Sequence, residues 1–420
     1  MKKPLNVFYK KSLVGILNKK PDDTLEFQYT SSWLNDKDNF ALSPAMPLQE
    51  APFNNRLTKS YFDNLLPEGD ILKTFEQILK RSFNDPYQIL ESYGVDCAGA
   101  LEITPLEEPP ENKLNGNVEK LSFEEIDQVI NRRESLYVHT LTQHKGRFSL
   151  AGAQDKIPVI YKNGELLLPQ DASPTTHILK PPTHLSGVYE TVFNENLCMQ
   201  LAKASGLPTP EVQLIGNEHP LFLIARYDRK KTKHGIERIH QFDLCQAQGI
   251  PSAEKYEEDG GPSFAQDYTA VQTISDRKIH DLNLMLRWLS FNLLIGNNDS
   301  HSKNMSFLFQ KNETTLTPLY DLMSTGVYEN MTPNFAFTVG GQKLWHELRP
   351  VHFKQMAQAL GFSKREDIVI EALLDVCKKV ESVLNTVFDP FIEEHQSSRI
   401  SKVLRSEIEK RIREFKRKLR

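Results

Sequence analysis

The sequence predicts a two-lobed α+β protein: a β-rich N-terminal lobe that carries an added small sheet subdomain, followed by a mostly helical C-terminal lobe. Three observations predict it. Short β-type runs dominate the chain as far as Tyr227, with one long amphipathic helix set among them. From Asp281 onward the apolar spacing changes to the helical period. At 420 residues the chain is long enough for two or three cores with a cleft between them.

The elements follow in order. Asn6-Val7-Phe8-Tyr9, Leu13 to Leu17 and Leu25-Glu26-Phe27 alternate with Lys-, Asn- and Asp-rich turns, as a small antiparallel sheet does. From Tyr61 to Leu79 the spacing is helical, broken at Leu66-Pro67-Glu68-Gly69-Asp70, where a second helix begins. A strand follows at Ala98 to Ile103. Between Pro105 and Lys120 the composition turns to Pro, Glu and Asn, which marks a linker. Ser122 to Glu134 reads as a helix with Ser122 as N-cap and Glu125 closing a capping box. Strands dominate from Arg147: Ile157 to Tyr161, Leu166 to Leu168 and His177 to Lys180, with Asn163-Gly164 as a hairpin turn. Glu190 to Ser205 is an amphipathic helix closed by Gly206 and Pro208, and strands follow at Val212 to Ile215 and Leu221 to Tyr227. Leu282, Met285, Leu286, Leu289 and Leu293 form one helical stripe, and Ser397 to Arg420 is a basic helix. The expected units are 1–110, 111–228 and 229–420.

Composition narrows the functional classes. Lys and Arg number 51 against 55 Asp and Glu, a formal net charge of −4, which excludes a dedicated nucleic-acid binder and leaves only local polyanion contacts. Hydrophobic content of 39% with 25% charged residues excludes a disordered chain or a membrane protein. The cysteines Cys97, Cys198, Cys245 and Cys377 are scattered, so neither a disulfide framework nor a cysteine zinc site is expected. The N-terminus lacks a signal peptide and no apolar run spans a bilayer, so a cytoplasmic location and no membrane partner are expected.

The densest polar cluster is Gly296-Asn297-Asn298-Asp299-Ser300-His301-Ser302-Lys303-Asn304, after an apolar helix. Asp299 and Asn304 stand in the D-x-x-x-x-N relation of a protein-kinase catalytic loop, where the Asp orients a hydroxyl and the Asn ligates a metal. A hairpin then leads through a strand at Thr315 to Tyr320 to Asp321, the place of a second metal-binding aspartate. One carboxylate and one carboxamide, with phosphates and waters, satisfy Mg²⁺. Loop composition alone would also follow from turn chemistry. Upstream, Ser149-Leu150-Ala151-Gly152-Ala153-Gln154-Asp155-Lys156 offers small residues whose N–H groups can approach an anion; a bland turn explains the string equally. Lys180, at a strand end, is the natural partner for phosphates, with Glu195 on the next helix to hold it. Each residue alone is also explained as a surface charge, but the order is that in which a kinase lays out its parts. His301 reads as loop support beside the carboxylate that supplies the base. His144, His177 and His240 lack partners at metal spacing, so no zinc site is expected.

At these residues the chain resembles the HipA family, the serine/threonine kinase toxins of bacterial toxin–antitoxin modules, over nearly its whole length. The strings that carry the resemblance are Phe62-Asp63-Asn64-Leu65-Leu66-Pro67, Ser149 to Lys156, Thr175-Thr176-His177-Ile178-Leu179-Lys180, Lys255-Tyr256-Glu257-Glu258-Asp259-Gly260-Gly261-Pro262, Asp299 to Asn304 and Tyr320-Asp321. The resemblance implies a protein-kinase-like fold and an ATP- and Mg-dependent serine/threonine kinase that arrests growth, with glutamyl-tRNA synthetase or a similar translation component as substrate. It implies that Ala151, Gly152, Ala153, Gln154, Asp155 and Lys156 form the phosphate loop and that Lys180, supported by Glu195, binds phosphate. It implies Asp299 as base, and Asn304 with Asp321 as metal ligands. Ala225, Arg226 and Tyr227 resemble the adenine-facing hinge, with Gln241, His301 and Tyr320 also lining the pocket. Ser149 resembles the family's autophosphorylated residue, whose dianion would expel the loop and switch the enzyme off.

The implied partner is a helix-turn-helix antitoxin of the HipB type, with DNA reached through it. Ala225 stands where some members carry Glu, which leaves hinge backbone groups to meet adenine. A basic stretch that touches operator DNA in a known member is reduced here to Gly340-Gly341-Gln342-Lys343. Two other classes stay open: a non-catalytic co-repressor bound to a DNA-binding antitoxin, suggested by the basic tail from Arg399 to Arg420, and a kinase of small molecules or lipids.

Overall fold

The computed structural model describes residues 3–79, 86–109, 117–144, 146, 148–170, 172–233 and 235–419. Residues 110–116 of the expected linker, Arg147, and Arg420 of the basic tail lie outside the described residues.

Strands β1 (Leu5–Tyr9), β2 (Ser12–Lys19) and β3 (Leu25–Tyr29) form an antiparallel meander, helices α1 (Ser31–Leu34), α2 (Asn55–Phe62), α3 (Gly69–Leu79) and α4 (Pro86–Tyr93) follow, and β4 (Leu101–Thr104) returns beside β1. In β3 the buried residues Leu25, Phe27 and Tyr29 alternate with more exposed ones, the period-two pattern of a half-covered strand. Phe27 packs on Phe62 at 5.7 Å between ring centroids, which fixes α2 on that face.

The second sheet contains β5 (Val118–Leu121), preceding helices α5 (Phe123–Asn131) and α6 (Leu136–Gln143), then β6 (Ile157–Lys162), β7 (Glu165–Pro169) and β8 (His177–Lys180). Helix α7 (Thr191–Ala204) separates these from β9 (Val212–Gly216) and β10 (Pro220–Ala225), and the strand order is β5-β7-β6-β8-β10-β9, all antiparallel. Asn163 and Gly164 both take positive φ, as the two-residue β6–β7 turn requires. Three expectations are corrected. The stretch expected as a linker ends inside β5, because Leu121 is buried and the strand pairs with β7. Ser122 caps α5, but Glu125 closes no capping box; its carboxylate is taken by His139 and His144. Helix α6, too short to show a helical period, was not foreseen.

The rest of the chain carries the hairpin β11 (Arg229–Thr232) and β12 (Gly235–Arg238), then β13 (His240–Asp243), α8 (Leu244–Gln248), α9 (Phe264–Ile274) and α10 (Lys278–Ile295). Strands β14 (Ser306–Gln310) and β15 (Glu313–Leu316) pair beside β13, and β16 (Asn334–Val339) with β17 (Gln342–Leu344). Helices α11 (Pro350–Ala359), α12 (Glu366–Glu394) and α13 (Arg399–Lys418) close the fold. Helix α10 is buried on most sides, as a helix at the centre of a lobe is. Helix α13 buries Ile400, Leu404, Ile408, Ile412 and Phe415, one stripe at helical spacing. Two strand ends are corrected: the strand expected to run to Tyr227 ends at Ala225, and that expected to reach Tyr320 ends at Leu316. Asp321 therefore sits in irregular chain, at a φ of +58°.

A buried ion network ties the first sheet to the second. Asp96 accepts from Arg229 at 2.7 Å, and Arg226 donates to Asp228 at 2.8 Å and to the Cys97 carbonyl at 2.9 Å. Arg238 pairs with Glu102. Each buried charge here has an opposite one, the condition for retaining it away from water.

Candidate active site

A cleft of about 1130 Å³ lies between the lobes, lined by the loop 150–156, Lys180, Glu195, the segment 224–228 and the cluster from Asn297 to Asp321. Helix α10 ends on Gly296, whose φ of +72° turns the chain into the cleft. The side chain of Arg411 from α13 lies 3.0 Å from where a Cβ on Gly296 would stand, so this position has neither the dihedral nor the room for another residue.

Beyond the turn, Asn297 donates to the Asn292 side chain at 2.8 Å and accepts from the Asp299 backbone N–H at 3.1 Å. Asp299 Oδ1 accepts from the Tyr256 hydroxyl at 2.6 Å. Burial pushes the Asp299 carboxyl above the ordinary aspartate value, against the opposing hydrogen bond from Tyr256 and the charge of Lys255. Asn304 Nδ2 donates to the Asp299 carbonyl at 2.9 Å, an orientation that leaves the carboxamide oxygen to accept elsewhere. His301 is buried with its ring 5.1 Å from that of Tyr256. Burial, with Lys255 and Lys303 nearby, pushes its imidazole down to about 3, so it is neutral at pH 7.

Opposite this loop, Lys180 Nζ donates to Glu195 Oε1 at 2.6 Å and to Asp321 Oδ1 at 2.8 Å. Burial opposes the Lys180 charge, but the two carboxylates outweigh it and hold the ammonium above its usual range. Asp321 is held low, since Lys180 and Lys156 outweigh its burial. Burial and the Lys180 cation push Lys156 down to about 8, and its Nζ lies 2.8 Å from the Cβ position of Gly152. Gly152, at a φ of +112°, thus leaves room for a cation directly behind the loop. Its carbonyl accepts from Glu68 N–H at 3.0 Å, which ties the loop to the N-terminal unit.

The remaining expected residues are distributed as follows. Ala151, Gly152, Ala153, Gln154 and Lys156 line the cleft. Asp155 does too, but its carboxylate is engaged by the start of α6, accepting from Leu136 N–H at 2.7 Å and Tyr137 N–H at 2.9 Å. Ser149 is buried, with its hydroxyl donating to the Leu65 carbonyl at 3.0 Å. The Ala225 and Arg226 N–H groups already donate to Glu211 and Thr176 carbonyls, and the Arg226 guanidinium belongs to the ion network. Tyr227 and Tyr320 face each other at 5.5 Å, and Tyr320 donates to the Lys303 carbonyl at 2.7 Å. Gln241 reaches the same pocket with its side-chain oxygen buried and without a hydrogen-bond partner.

Sequence reasoning assigned no role to Glu68, Lys255, Tyr256 or Lys303. Glu68, from the N-terminal unit, pairs with Lys255 at 2.6 Å and with Lys303. Its burial is outweighed by these two cations, and its carboxyl falls to about 2. Lys255, Tyr256 and Lys303 stand in the strings that carry the family resemblance, but no spacing rule joins position 68 to 255 and 303.

The solved complex of HipA, HipB and operator DNA from Shewanella oneidensis contains a chain that matches this one with a TM-score of 0.83 and 24% identity, over 98% of this chain and 97% of that one. The serine/threonine-protein kinase toxin HipA of Shewanella oneidensis is 27% identical over 382 residues, 87% of this chain and 84% of that protein. The protein Y4mE of Sinorhizobium fredii is 34% identical over 363 residues, 85% of this chain and 86% of that protein. Fold, cleft and relatives together define a serine/threonine protein kinase. Residues 5–104 match the family model of the HipA N-terminal domain, and residues 148–384 that of the HipA-like C-terminal domain. The chain belongs to the HipA family of kinase toxins.

Proposed function

We propose that this kinase transfers the γ-phosphoryl group of ATP, with Mg²⁺, to a serine or threonine of a protein, and that it is the growth-arresting toxin of a toxin–antitoxin module. The observation that carries the reading is the single ammonium of Lys180 bonded to both Glu195 and Asp321 at the cleft. In this reading Lys180 and Lys156 meet phosphate oxygens and the backbone of Ala151 to Gln154 cradles them. Asp321 and the carboxamide oxygen of Asn304 offer hard oxygens to Mg²⁺, which when bound neutralises phosphate charge. The attacking hydroxyl oxygen bonds the γ-phosphorus as the bond to the bridging oxygen breaks, and that electron pair leaves with ADP. The hydroxyl proton passes to Asp299, whose raised carboxyl pKa suits a general base. Tyr256 occupies Asp299 Oδ1 in this structure, so the substrate hydroxyl displaces it or uses Oδ2. Gln241, Tyr227 and Tyr320 line the end of the cleft that takes adenine.

Ser149 is the proposed site of autophosphorylation. A dianion there has no place beside the Leu65 carbonyl, so its addition releases the loop and ends activity. A translation component such as glutamyl-tRNA synthetase is the proposed substrate and a HipB-type antitoxin the proposed partner, in a cytoplasmic setting. The complex of the Shewanella relative with HipB and operator DNA supports the partner. Among the described residues no helix is long and apolar enough to cross a membrane. The co-repressor reading lacks a comparable support, because Arg405, Arg411 and Lys416 of the basic tail are engaged with Asp389, Glu407 and Glu381.

Expression of the wild type and of Asp299→Gln in a bacterial host, with intact mass before and after ATP and Mg²⁺, tests the proposal. The wild type should arrest growth and gain phosphate-sized mass. Loss of the base should slow transfer by about two to four orders of magnitude. Equal growth of the two strains with no mass change in either would refute it.

A further inference from the structure

Three metal-ligating side chains converge outside the catalytic cluster, and they include His144, whose spacing along the chain predicts no metal partners. His139 on α6 and His144, the C-cap of α6, both direct Nε2 at one oxygen of Glu125 on α5, at 2.8 and 2.7 Å. All three ligand atoms lie within 4.8 Å of one another, and His144 is buried while the other two are half-buried. The two rings approach at 5.8 Å with an interplanar angle of 63°. On the far side of the His144 ring, Glu119 Oε1 from β5 lies 2.9 Å from Nδ1. Glu119 is itself held by Gln170, whose side-chain amide donates to it at 3.0 Å and to the His144 carbonyl at 3.2 Å.

Either a second proton on His144, shared between Glu125 and Glu119, or a cation at the convergence point resolves the conflict that neutral rings leave. If both rings are neutral and donate from Nε2, His144 Nδ1 carries a lone pair turned toward a carboxylate, an acceptor facing an acceptor. If a cation takes both Nε2 lone pairs and a Glu125 oxygen, Nδ1 carries the proton beside Glu119, at 2.9 Å but without hydrogen-bond geometry as the ring now stands, and a small turn of the ring lets it donate. That is the carboxylate–histidine–metal relay that orients most metal-binding imidazoles. Metal bonds of about 2.0–2.1 Å in a tetrahedron place ligand atoms about 3.3 Å apart, so each Nε2 would move about half an ångström away from the Glu125 oxygen to admit the ion. Two imidazoles and one carboxylate suit Zn²⁺ and its first-row neighbours, not Mg²⁺, which demands oxygen.

We propose that Glu125, His139 and His144 bind one divalent transition-metal ion of the zinc class, with Glu119 orienting His144 and water completing the coordination. The ion joins α5 to α6. The first turn of α6, which carries His139, is the one gripped by Asp155 of the phosphate loop, so the site fastens the helix on which that loop rests. His139 also lines the rim of the cleft, which gives an ion a path of entry.

The test is zinc titration of the untagged full chain against a chromophoric chelator, with millimolar Mg²⁺ present to occupy oxygen-only sites. One equivalent should bind and raise Tm. His144→Ala and Glu125→Gln, with circular dichroism matching the wild type, should lose that equivalent and the Tm response. Glu119→Gln should retain it with affinity lowered about 10- to 100-fold. Should a variant not fold, Co²⁺ added to the wild type reads the site directly, through the visible d–d absorption of a four-coordinate nitrogen and oxygen site. A wild type that retains no zinc and shows no such band, or folded variants that bind as it does, overturns the proposal and leaves a cluster held by protons alone.

Discussion

The Lys180 ammonium lies 2.8 Å from the Asp321 carboxylate, across 141 positions of sequence, and joins the end of β8 to the irregular chain after β15. Because the same nitrogen also holds Glu195, one cation keeps the Asp321 carboxyl low and opposes the burial that raises that of Glu195.

Lys180→Met should therefore abolish phosphotransfer and also destabilise the fold. Removing the cation strands the buried Glu195, and breaking a buried pair costs about 3–5 kcal/mol. Urea unfolding at pH 7 measures this. Methionine preserves the volume of the side chain, so a loss well under 1 kcal/mol would show that the pair contributes little.

Glu68 gives a pH signature. Its carboxyl is depressed from 4.5 to about 2 when folded, so its contribution is complete above the unfolded value and disappears as pH falls from about 5 toward 2. At 1.36 kcal/mol per unit, the contribution at pH 7 is about 3 kcal/mol. Glu68→Gln should thus be less stable than the wild type at pH 7, and the gap should narrow steadily in acid. A constant gap across that window would contradict the assignment.

Lys156 titrates near neutrality. With its ammonium lowered to about 8, the free protein loses this charge as pH rises through that value, and ATP affinity should weaken with it. Bound phosphate restores the proton, so binding at pH 8–9 should take up protons. Calorimetry in buffers of different ionisation enthalpy detects the uptake, and Lys156→Met should abolish it. On the stability side the slope has the same sign as that of Glu68, in a different window: the unfolded lysine binds more protons between pH 8 and 10.5, so stability gains from this group as pH rises there.

Gly296→Ala should be more disruptive than Gly341→Ala, although both glycines have positive φ. At Gly341 nothing stands within 4 Å of the added carbon, so only the dihedral cost of about 1 kcal/mol applies. At Gly296 the Arg411 guanidinium is also in the way, and the shift is passed to the cleft loop 297–304 that begins at the next residue. Thermal unfolding and phosphotransfer rates of the two variants separate the effects.

Much of this was readable where a local rule has a short range. Asn163-Gly164 announces its hairpin because only such pairs take two positive φ angles in succession cheaply. Gly206 closes α7 for the same reason, and the α13 stripe follows from 3.6 residues per turn. The five-residue step from Asp299 to Asn304 is likewise a property of one loop. Helix α6 was illegible because eight residues are too few for a period, and the strand expected before Asp321 was drawn too long because propensity does not say where pairing stops.

What the sequence determined by itself was the local conformation and the order of the parts along the chain, since turn chemistry, capping and apolar periodicity act between near neighbours. Only the tertiary structure decided which charges meet: Glu68 with Lys255 and Lys303, Arg226 with Asp228 and Asp96, and Glu125 with His139 and His144 in place of the expected cap. Those pairings are set by which surfaces become buried together, and once water is excluded each charge must take whatever partner packing brings within reach.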